Sequence, residues 1–361
     1  GNYTAALLGH APESVLTAAR QALESGWSLG ATHPNETRLA ELIVERFHSI
    51  SKVRFTNSGT EANLMAIALA VHHTGRRKVV VFRHGYHGGV LAFGDRPSPI
   101  DVPHDWLLSD YNDTAALEAA FDRDGDDIAA VLVEPMQGSA GCIPGDPDFL
   151  GACRDLTSRH GAVLIFDEVM TSRFSVGGAQ LLLGLTPDLT TLGKYLAGGL
   201  TFGAFGGRDD IMSSFDRRRG GELTHAGTFN NNVASMAAGV TALSEVITAD
   251  VLDDLHRRGE RLRRELDDIF AEMAQDTGIG LEVTGVGSLM NVHGKRGPIA
   301  SRADLVDADD RLVELFFFHG LTGGFYLAPR GFIALSVAVC DADVDAFVEH
   351  ARTLPAWLTS T

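Results

Sequence analysis

The sequence predicts an α/β fold with a mostly parallel central sheet, helices on both faces of that sheet, and a smaller α+β domain. In the middle of the chain, short runs rich in Val, Leu and Ile alternate with helical patterns. Uninterrupted apolar strands between helices are typical of parallel sheets that are covered on both faces. After about residue 245 the pattern changes to one long amphipathic helix followed by separate strand-like runs, which predicts the smaller domain.

The individual elements are predicted from the spacing of apolar residues. Helical spacing indicates helices, and compact apolar runs rich in β-branched residues indicate strands. The helices are predicted at 12–25, 36–47 and 251–273, and the strands at 79–82, 129–135, 162–169, 188–192, 285–294 and 331–339. From these elements and the length we predict an N-terminal segment (1–50) that packs with the small domain, a large domain (51–245) and a C-terminal small domain (246–361).

Composition limits the classes of partner. The chain has 30 basic and 47 acidic residues, and its net charge of -17 disfavours binding to nucleic acids or anionic membranes. Three cysteines without CxxC or Cys/His spacing predict neither a disulfide framework nor a metal site, and indicate a reducing compartment. No apolar run approaches the roughly 18 residues of a membrane span. We therefore expect a cytoplasmic protein whose partners are small molecules.

The residues Asn57, Ser58, Gly59 and Thr60 directly precede a helix that is apolar on nearly all sides. The free N–H groups and positive dipole end of such a helix form an anion site, which predicts phosphate binding. The alternative is ordinary N-capping with Glu61 in the first turn. No G-x-x-x-x-G-K-[ST] loop and no GxGxxG fingerprint after a predicted strand is present, so a nucleotide site of either kind is not expected.

Asp167 stands at the carboxyl end of the predicted strand 162–169, where doubly wound sheets place their ligands. If the strand continues, Asp167 and Glu168 point to opposite faces, so only one of them enters the crevice. A carboxylate at this place could hold a pyridinium nitrogen protonated. The alternative is a cap of the following turn or helix.

Lys194 is the only charged residue between Asp188 and Arg208. Burial among apolar groups lowers the pKa of a lysine, and the neutral amine is the form that attacks a carbonyl. The alternative is a lysine that extends to the solvent. Five glycines follow it (Gly198, Gly199, Gly203, Gly206 and Gly207), and we interpret them as tight turns around a ligand.

A phosphate cradle, a strand-end carboxylate and a buried lysine together fit pyridoxal phosphate, and Tyr86 or His87 could cover its ring. Six motifs then occur in order: "NSGTEAN", "GYHGG", "VEPMQG", "FDEVMTSR", "TLGKYLAGG" and "HAGTFNNN". With these motifs the chain resembles the class III, fold type I pyridoxal-phosphate aminotransferases. Within them it resembles the branch of the β-amino-acid (β-phenylalanine-type) transaminases and the glutamate-1-semialdehyde aminomutases.

The resemblance implies a covalent aldimine between pyridoxal 5'-phosphate and Lys194, which would also transfer a proton as the catalytic base. It implies that 51–245 is the cofactor-binding domain and that the enzyme is a homodimer, because Thr228 would reach the cofactor of the neighbouring subunit. The other implied contacts are Ser58, Gly59 and Thr60 to the phosphate, Tyr86 and Val169 to the two faces of the ring, Gln137 to the 3-hydroxyl, and Asp167 to the ring nitrogen.

Arg330, in "YLAPRGFIALS", occupies the place where similar β-amino-acid transaminases bind a substrate carboxylate. The planar fork of arginine suits bidentate binding of a carboxylate, and the alternative is a structural ion pair. We predict that Arg330 binds the keto-acid acceptor, such as 2-oxoglutarate or pyruvate. The predicted reaction is transamination of an aromatic or aliphatic β-amino acid. A glutamate-1-semialdehyde aminomutase is the second reading, and a catalytically silent pyridoxal-phosphate protein is the third.

Overall fold

Twelve strands form three sheets in the computed structural model, which describes residues 1–96 and 98–360. They are β1 (Lys52–Thr56), β2 (Lys78–Phe82), β3 (Trp106–Ser109), β4 (Ile128–Val133), β5 (Met136–Gln137), β6 (Ile143–Pro144), β7 (Val163–Asp167), β8 (Leu189–Gly193), β9 (Gly203–Gly207), β10 (Glu282–Val286), β11 (Leu289–His293) and β12 (Phe332–Ala334). The central sheet has the order β1-β9-β8-β7-β4-β2-β3. Only β9 runs antiparallel to its neighbours β1 and β8, which confirms the predicted mostly parallel sheet.

Twelve α-helices surround the sheets. They are α1 (Glu13–Glu24), α2 (Pro34–Arg46), α3 (Gly59–Thr74), α4 (Thr114–Asp124), α5 (Pro147–His160), α6 (Gly178–Leu183), α7 (Asp209–Met212), α8 (Val233–Thr241), α9 (Ala249–Thr277), α10 (Asp310–Thr322), α11 (Asp341–Ala351) and α12 (Leu354–Ser360). Within the described residues no single helix is long and apolar enough to cross a membrane. Helix α8 with its π-helical extension (Val233–Val246) and helix α9 meet the length and composition criteria only as a pair, which is bent by 79°.

The central sheet is buried on both faces, which explains its uninterrupted apolar strands. Along β2, Val79 and Val81 pack in one core with α3, whereas Val80 and Phe82 pack in another core with α4 and α5. Successive strand residues point to opposite faces, so each strand residue must be apolar when both faces are covered. The same alternation continues through β4 and β7.

The smaller domain contains an antiparallel sheet, β10-β11-β12, packed against the long helix α9. Helix α9 begins after the capping residue Thr248 and ends at Gly278, whose φ of 73° suits glycine. The first residues of the chain reach this domain, since Val337 N–H donates to Leu7 O at 2.9 Å. Helices α1 and α2 pack instead on α8. The segment 1–50 therefore bridges both parts of the molecule, and the division at 51 and 246 stays a prediction.

Three local predictions differ from the structure. The strand predicted at 285–294 spans the turn of a hairpin, since β10 ends at Val286 and β11 begins at Leu289. The strand predicted at 331–339 is ordered as a strand only over β12. Of the five glycines after Lys194, Gly198 and Gly199 do adopt positive φ in a turn, but the other three belong to β9. A Cβ on Gly203 would lie 2.1 Å from Ser58 O, and one on Gly207 would lie 2.1 Å from Asp188 O. These glycines permit close approach of backbone to backbone, and our interpretation of them as ligand-binding turns is wrong.

Gly207→Ala is expected to destabilise the protein because its new methyl group would meet the backbone of Asp188 and Leu189, which cannot move cheaply. Overpacking of this kind costs about 1–3 kcal/mol. The matched control is Gly151→Ala in α5, where no atom lies within 4 Å of the added Cβ, and where alanine favours the helix by up to about 1 kcal/mol. Urea unfolding of both variants measures the difference. Equal stability of the two variants would contradict the account of β9.

Candidate active site

A cavity of about 300 Å3 lies beside the ends of three neighbouring parallel strands. Glu134 follows β4, Asp167 ends β7 and Lys194 follows β8, and all three line the cavity together with the first turn of α3. We call it the lysine cavity. Ligands of doubly wound sheets bind outside the carboxyl ends of the strands, and this is the place that the sequence predicts.

The N-terminus of α3 contributes the anion-binding side of the lysine cavity. The Ser58 hydroxyl accepts a hydrogen bond from Glu61 N–H at 3.2 Å, so the capping alternative is realised. Gly59 and Thr60 nevertheless line the cavity, and N–H groups of a first turn have no partner within their helix. A Cβ on Gly59 would lie 2.8 Å from Val169 Cγ2, so glycine is needed for the close approach of α3. Capping by Ser58 is therefore compatible with the predicted phosphate contact at this helix end, which stays a prediction.

Asp167 is 5% exposed and is held by three donors. Its Oδ2 accepts hydrogen bonds from Asn63 Nδ2 and His87 Nδ1, both at 2.8 Å, and its Oδ1 accepts one from Val169 N–H at 3.0 Å. Asn63 is fixed in turn by Thr191 Oγ1, which donates to its Oδ1 at 2.7 Å. The carboxylate therefore has one defined orientation beside the cavity.

Sequence reasoning offered His87 only as a ring cover and did not consider Asn63. Both residues line the cavity, but His87 is buried beside Asp167, whereas Tyr86 is 48% exposed. Asn63 could have been found from its position one helical turn after Gly59, because that spacing places both residues on the same face of α3. The available signal for His87 was its place in "GYHGG", directly after Tyr86.

Glu168 points to the other face of β7, as the strand alternation predicts. Its carboxylate accepts hydrogen bonds from Ala179 N–H at 2.7 Å, Gln180 N–H at 3.0 Å and Thr171 Oγ1 at 3.1 Å. Burial raises the pKa of this carboxyl, and these donors oppose the rise. Glu168 is thus a buried structural group that holds the start of α6, and only Asp167 enters the site.

Lys194 lies at the end of β8 in a left-handed conformation with φ of 55°. A lysine in this region is uncommon, and such backbone strain clusters at functional sites. Burial lowers the pKa of its amine, and the positive charges of Arg173 and Arg330 lower it further, while Asp167 and Glu134 oppose the shift. No carboxylate forms an ion pair with Lys194 in the described part of the chain. Lys194 is partly buried at the cavity wall and its pKa is lowered as predicted, whereas its role as the cofactor-binding lysine stays a prediction.

Glu134 is a buried acid of the site that sequence reasoning missed. Its Oε1 accepts a hydrogen bond from Tyr86 N–H at 2.9 Å, and its Oε2 accepts one from Gly138 N–H at 3.0 Å. Burial raises the pKa of this carboxyl to about 7. Glu134 therefore fixes the backbone of Tyr86 at the mouth of the lysine cavity, and its role depends on a contact 48 residues away along the chain.

The structure places three predicted site residues outside the lysine cavity. Gln137 Nε2 donates to Arg83 O at 2.9 Å, and its buried Oε1 has no hydrogen-bond partner among the described residues. Thr228 is exposed and lines a different cavity of about 930 Å3, where its carbonyl accepts from Ser28 Oγ at 3.2 Å. Arg330 lines a third cavity, of about 650 Å3, which shares Tyr86 with the lysine cavity. We call this third cavity the arginine cavity.

The fold, the strand-end lysine and carboxylate, and the helix N-terminus define a fold type I pyridoxal-phosphate-dependent enzyme. The model of the family "Aminotransferase class-III" matches residues 1–94 and 100–308, and the chain belongs to this family. Class III aminotransferases use pyridoxal phosphate, so the protein is a pyridoxal-phosphate-dependent aminotransferase. The resemblance inferred from the six motifs is confirmed.

Individual relatives agree with this assignment. The chain is 52% identical over 346 residues to the β-phenylalanine transaminase of Variovorax paradoxus, covering 96% of this chain and 79% of that protein. The crystal structure of a β-phenylalanine aminotransferase from the same organism superimposes with a TM-score of 0.96 at 50% identity, covering 99% of this chain and 82% of the other. A glutamate-1-semialdehyde 2,1-aminomutase of Akkermansia muciniphila is 38% identical over 372 residues, covering 98% and 85% of the two chains. A solved transaminase with PLP bound has a TM-score of 0.88 at 28% identity, covering 99% and 86%.

Glu134→Gln is expected to remove a pH-dependent part of the stability. The carboxyl has a pKa of about 7 when folded against 4.5 for the free group. The folded state therefore binds more protons between these pH values, and the wild-type protein loses stability as the pH rises through them. At 1.36 kcal/mol per pKa unit the loss is at most about 3 kcal/mol. Glutamine does not titrate, so the free energy of unfolding should shift in favour of the variant over this interval.

Urea unfolding of the cofactor-free protein at several pH values measures this effect. Glu118→Gln, at an exposed position of α4, is the control and should keep the pH profile of the wild type. Parallel profiles of Glu134→Gln and the wild type would show that Glu134 does not titrate in this range.

Proposed function

We propose that the protein transfers the amino group of a β-amino acid, aromatic or aliphatic, to a keto acid such as 2-oxoglutarate or pyruvate. The observation that carries this proposal is the junction of two cavities at Tyr86. One holds the groups proposed to bind the cofactor, and the other holds Arg330, which has no carboxylate partner among the described residues. The β-amino acid as donor is supported by the 52% identical relative, which is named as a β-phenylalanine transaminase.

The residues of the lysine cavity fit pyridoxal phosphate. In the proposal, the first turn of α3 at Ser58, Gly59 and Thr60 binds the phosphate, which the helix dipole favours. Asp167, fixed by its three donors, pairs with the ring nitrogen and keeps it protonated. The remaining proposed contacts are Tyr86 and Val169 to the faces of the ring and Gln137 to the 3-hydroxyl.

Bound pyridoxal phosphate supplies an electron sink that makes a proton on the substrate's amino-bearing carbon removable. Lys194 Nζ is proposed to take this proton and to return it at the cofactor's side of the reaction. This role requires a neutral amine, and burial together with Arg173 and Arg330 favours the neutral form.

A homodimer is part of the proposal, with Thr228 of each subunit serving the other subunit's cofactor. Thr228 is exposed and does not line the lysine cavity of its own chain. Large apolar side chains are exposed near it, with Phe229 at 59%, Trp27 at 74% and Leu29 at 40%. Exposed apolar surface of this kind marks interaction sites, and light scattering in solution measures the assembly. A cytoplasmic location is also proposed, in line with the three free cysteines.

A glutamate-1-semialdehyde aminomutase is the second candidate, and the 38% identical relative of that name favours it. An aminomutase moves the amino group within one molecule and consumes no separate keto acid. The two candidates share the lysine cavity, so they differ in what the arginine cavity accepts. Arg330, which has no ion-pair partner there, supports a separate carboxylate-bearing acceptor.

Purified protein supplemented with pyridoxal phosphate is expected to convert β-phenylalanine with 2-oxoglutarate or pyruvate, giving glutamate or alanine, which amino-acid chromatography detects. Lys194→Ala should lower this rate by about 10²–10⁴, the usual contribution of a positioned general base. Lys52→Ala, a lysine paired with Asp209 at 2.8 Å in another part of the molecule, is the control. Formation of 5-aminolevulinate from glutamate-1-semialdehyde, without any amino-acid product from a panel of β-amino acids, would establish the second candidate instead.

Arg330→Ala is expected to raise the KM for both keto acids by about tenfold or more, because the variant loses charge-assisted hydrogen bonds to the carboxylate that both acceptors carry. Arg330→Lys keeps the charge but loses the bidentate fork, so its KM should fall between those of the wild type and Arg330→Ala. Steady-state kinetics at a fixed donor concentration measures these constants. An unchanged KM for both keto acids in Arg330→Ala would refute the role of Arg330.

A further inference from the structure

The loop 225–230, which we call the anchored loop, is tied to the rest of the chain at both of its ends. At the start, Arg54 of β1 donates from Nε to Nδ1 of His225 and from Nη2 to its carbonyl, both at 3.2 Å. At the end, Oδ1 of Asn230 accepts a hydrogen bond from Nδ2 of Asn57 at 2.9 Å. His225 and Asn230 are partly buried, whereas the four residues between them are exposed.

The exposed part of the anchored loop is closed by a hydrogen-bonded turn around Thr228. The N–H of Asn230 donates to Gly227 O at 3.2 Å, which is the bond that closes a β-turn with Thr228 as its first central residue. A Cβ on Gly227 would lie 2.3 Å from Oδ1 of Asn230, so the asparagine amide packs directly against the turn. Asn230 therefore closes the turn through its backbone and attaches it to Asn57 through its side chain.

Asn57 connects the anchored loop with the N-terminus of α3. It directly precedes Ser58 and lines the lysine cavity. Its backbone N–H donates to Oε2 of Glu61 at 2.9 Å, and its Nδ2 donates to the same oxygen at 3.2 Å. An amide NH2 group with an acceptor on each side has a defined orientation, because both of its donors are used. Asn230 is thus held by the helix end that is proposed to bind the phosphate.

The turn leaves the hydroxyl of Thr228 free for a neighbouring molecule. In the part of the chain that the structure describes, this hydroxyl makes no hydrogen bond, whereas the carbonyl of Thr228 accepts one from Ser28 Oγ at 3.2 Å. A group that is already fixed before binding loses less conformational freedom when it binds, which strengthens the contact. Asn230 can therefore affect a contact of Thr228 without touching the ligand itself.

We propose that Asn230 is a positioning residue that holds Thr228 in the conformation that binds the phosphate of the partner subunit's cofactor. This inference rests on the proposed homodimer and on the role proposed there for Thr228, and it adds a residue that acts through Thr228. Through Asn57, the turn that serves one cofactor is attached to the helix end that binds the other.

A double-mutant cycle on cofactor binding tests the proposal, with fluorescence titration of the cofactor-free protein as the measurement. Asn230→Ala is expected to raise the Kd for pyridoxal 5'-phosphate about tenfold, as does the loss of a hydrogen bond to a charged group. Thr228→Ala should raise it at least as much, and the double variant no more than Thr228→Ala, because Asn230 acts only through Thr228. The Kd for pyridoxal, which lacks the phosphate, should stay the same in all three variants.

The neighbouring Asn231 provides the matched control. Its Nδ2 donates to Glu36 Oε2 at 3.1 Å and to Ala31 O at 3.3 Å, so Asn231→Ala loses hydrogen bonds of the same kind but none to α3. This variant should keep the wild-type Kd. Asn230→Asp retains an acceptor for Asn57 and should bind pyridoxal 5'-phosphate more tightly than Asn230→Ala does.

The same measurements separate this inference from the proposed function. An unchanged Kd in Thr228→Ala would refute the proposed role of Thr228 and the inference with it. A raised Kd in Thr228→Ala together with an unchanged Kd in Asn230→Ala, or additive effects of the two substitutions, would overturn the inference alone. Equal losses of affinity for pyridoxal 5'-phosphate and pyridoxal in Asn230→Ala would also overturn it, since the effect would then not involve the phosphate.

Discussion

The orientation of the site depends on the buried carboxylate of Asp167. Its three hydrogen bonds come from α3 through Asn63, from the segment after β2 through His87, and from its own loop through Val169. A buried polar group is tolerated only when hydrogen-bond partners satisfy it, so these three segments must converge around Asp167. The helix end proposed to bind phosphate and the loop that carries Tyr86 are thereby fixed relative to the same carboxylate.

Burial shifts the pKa values of the acid and the base in the lysine cavity in opposite directions. It lowers the pKa of Lys194 and raises that of Glu134, because in each case the charged form loses its hydration. Both shifts favour the neutral forms, so the cavity holds an amine that can accept a proton and a carboxyl that titrates near neutral pH. Glu134 and Asp167 stand at the ends of neighbouring strands, and other segments fix both carboxyl groups, with two donors at Glu134 and three at Asp167.

Much of the fold and of the cofactor site could be predicted from the sequence because the evidence is local. Apolar runs identify β2, β4, β7 and β8, amphipathic spacing identifies α9, and Lys194 and Asp167 stand at the ends of such strands. Strand β9 could not be predicted, because its glycines are required by contacts with Ser58 and Asp188, which are distant in sequence. The role of Glu134 escaped prediction for the same reason, since its partner Tyr86 lies on another strand connection. A pattern of residues describes an element well, but it does not describe which element lies beside it.

The difference between local sequence patterns and contacts distant in sequence also explains why the cofactor is easier to infer than the substrate. The lysine cavity is built mostly from segments that directly follow strands of one sheet, so its motifs occur in order along the chain. The arginine cavity lies between that sheet and the smaller domain, and its walls come from residues 84–86, 92–94, 139–141, 291–294 and 329–330 and from five residues between Arg302 and Val313. The balance of positive and negative side chains in the arginine cavity depends on all these segments together, so it cannot be inferred from any single motif. Substitutions on the small-domain side of the arginine cavity therefore leave the hydrogen bonds that fix Asp167 in place, because Tyr86 is the only described residue that lines both cavities.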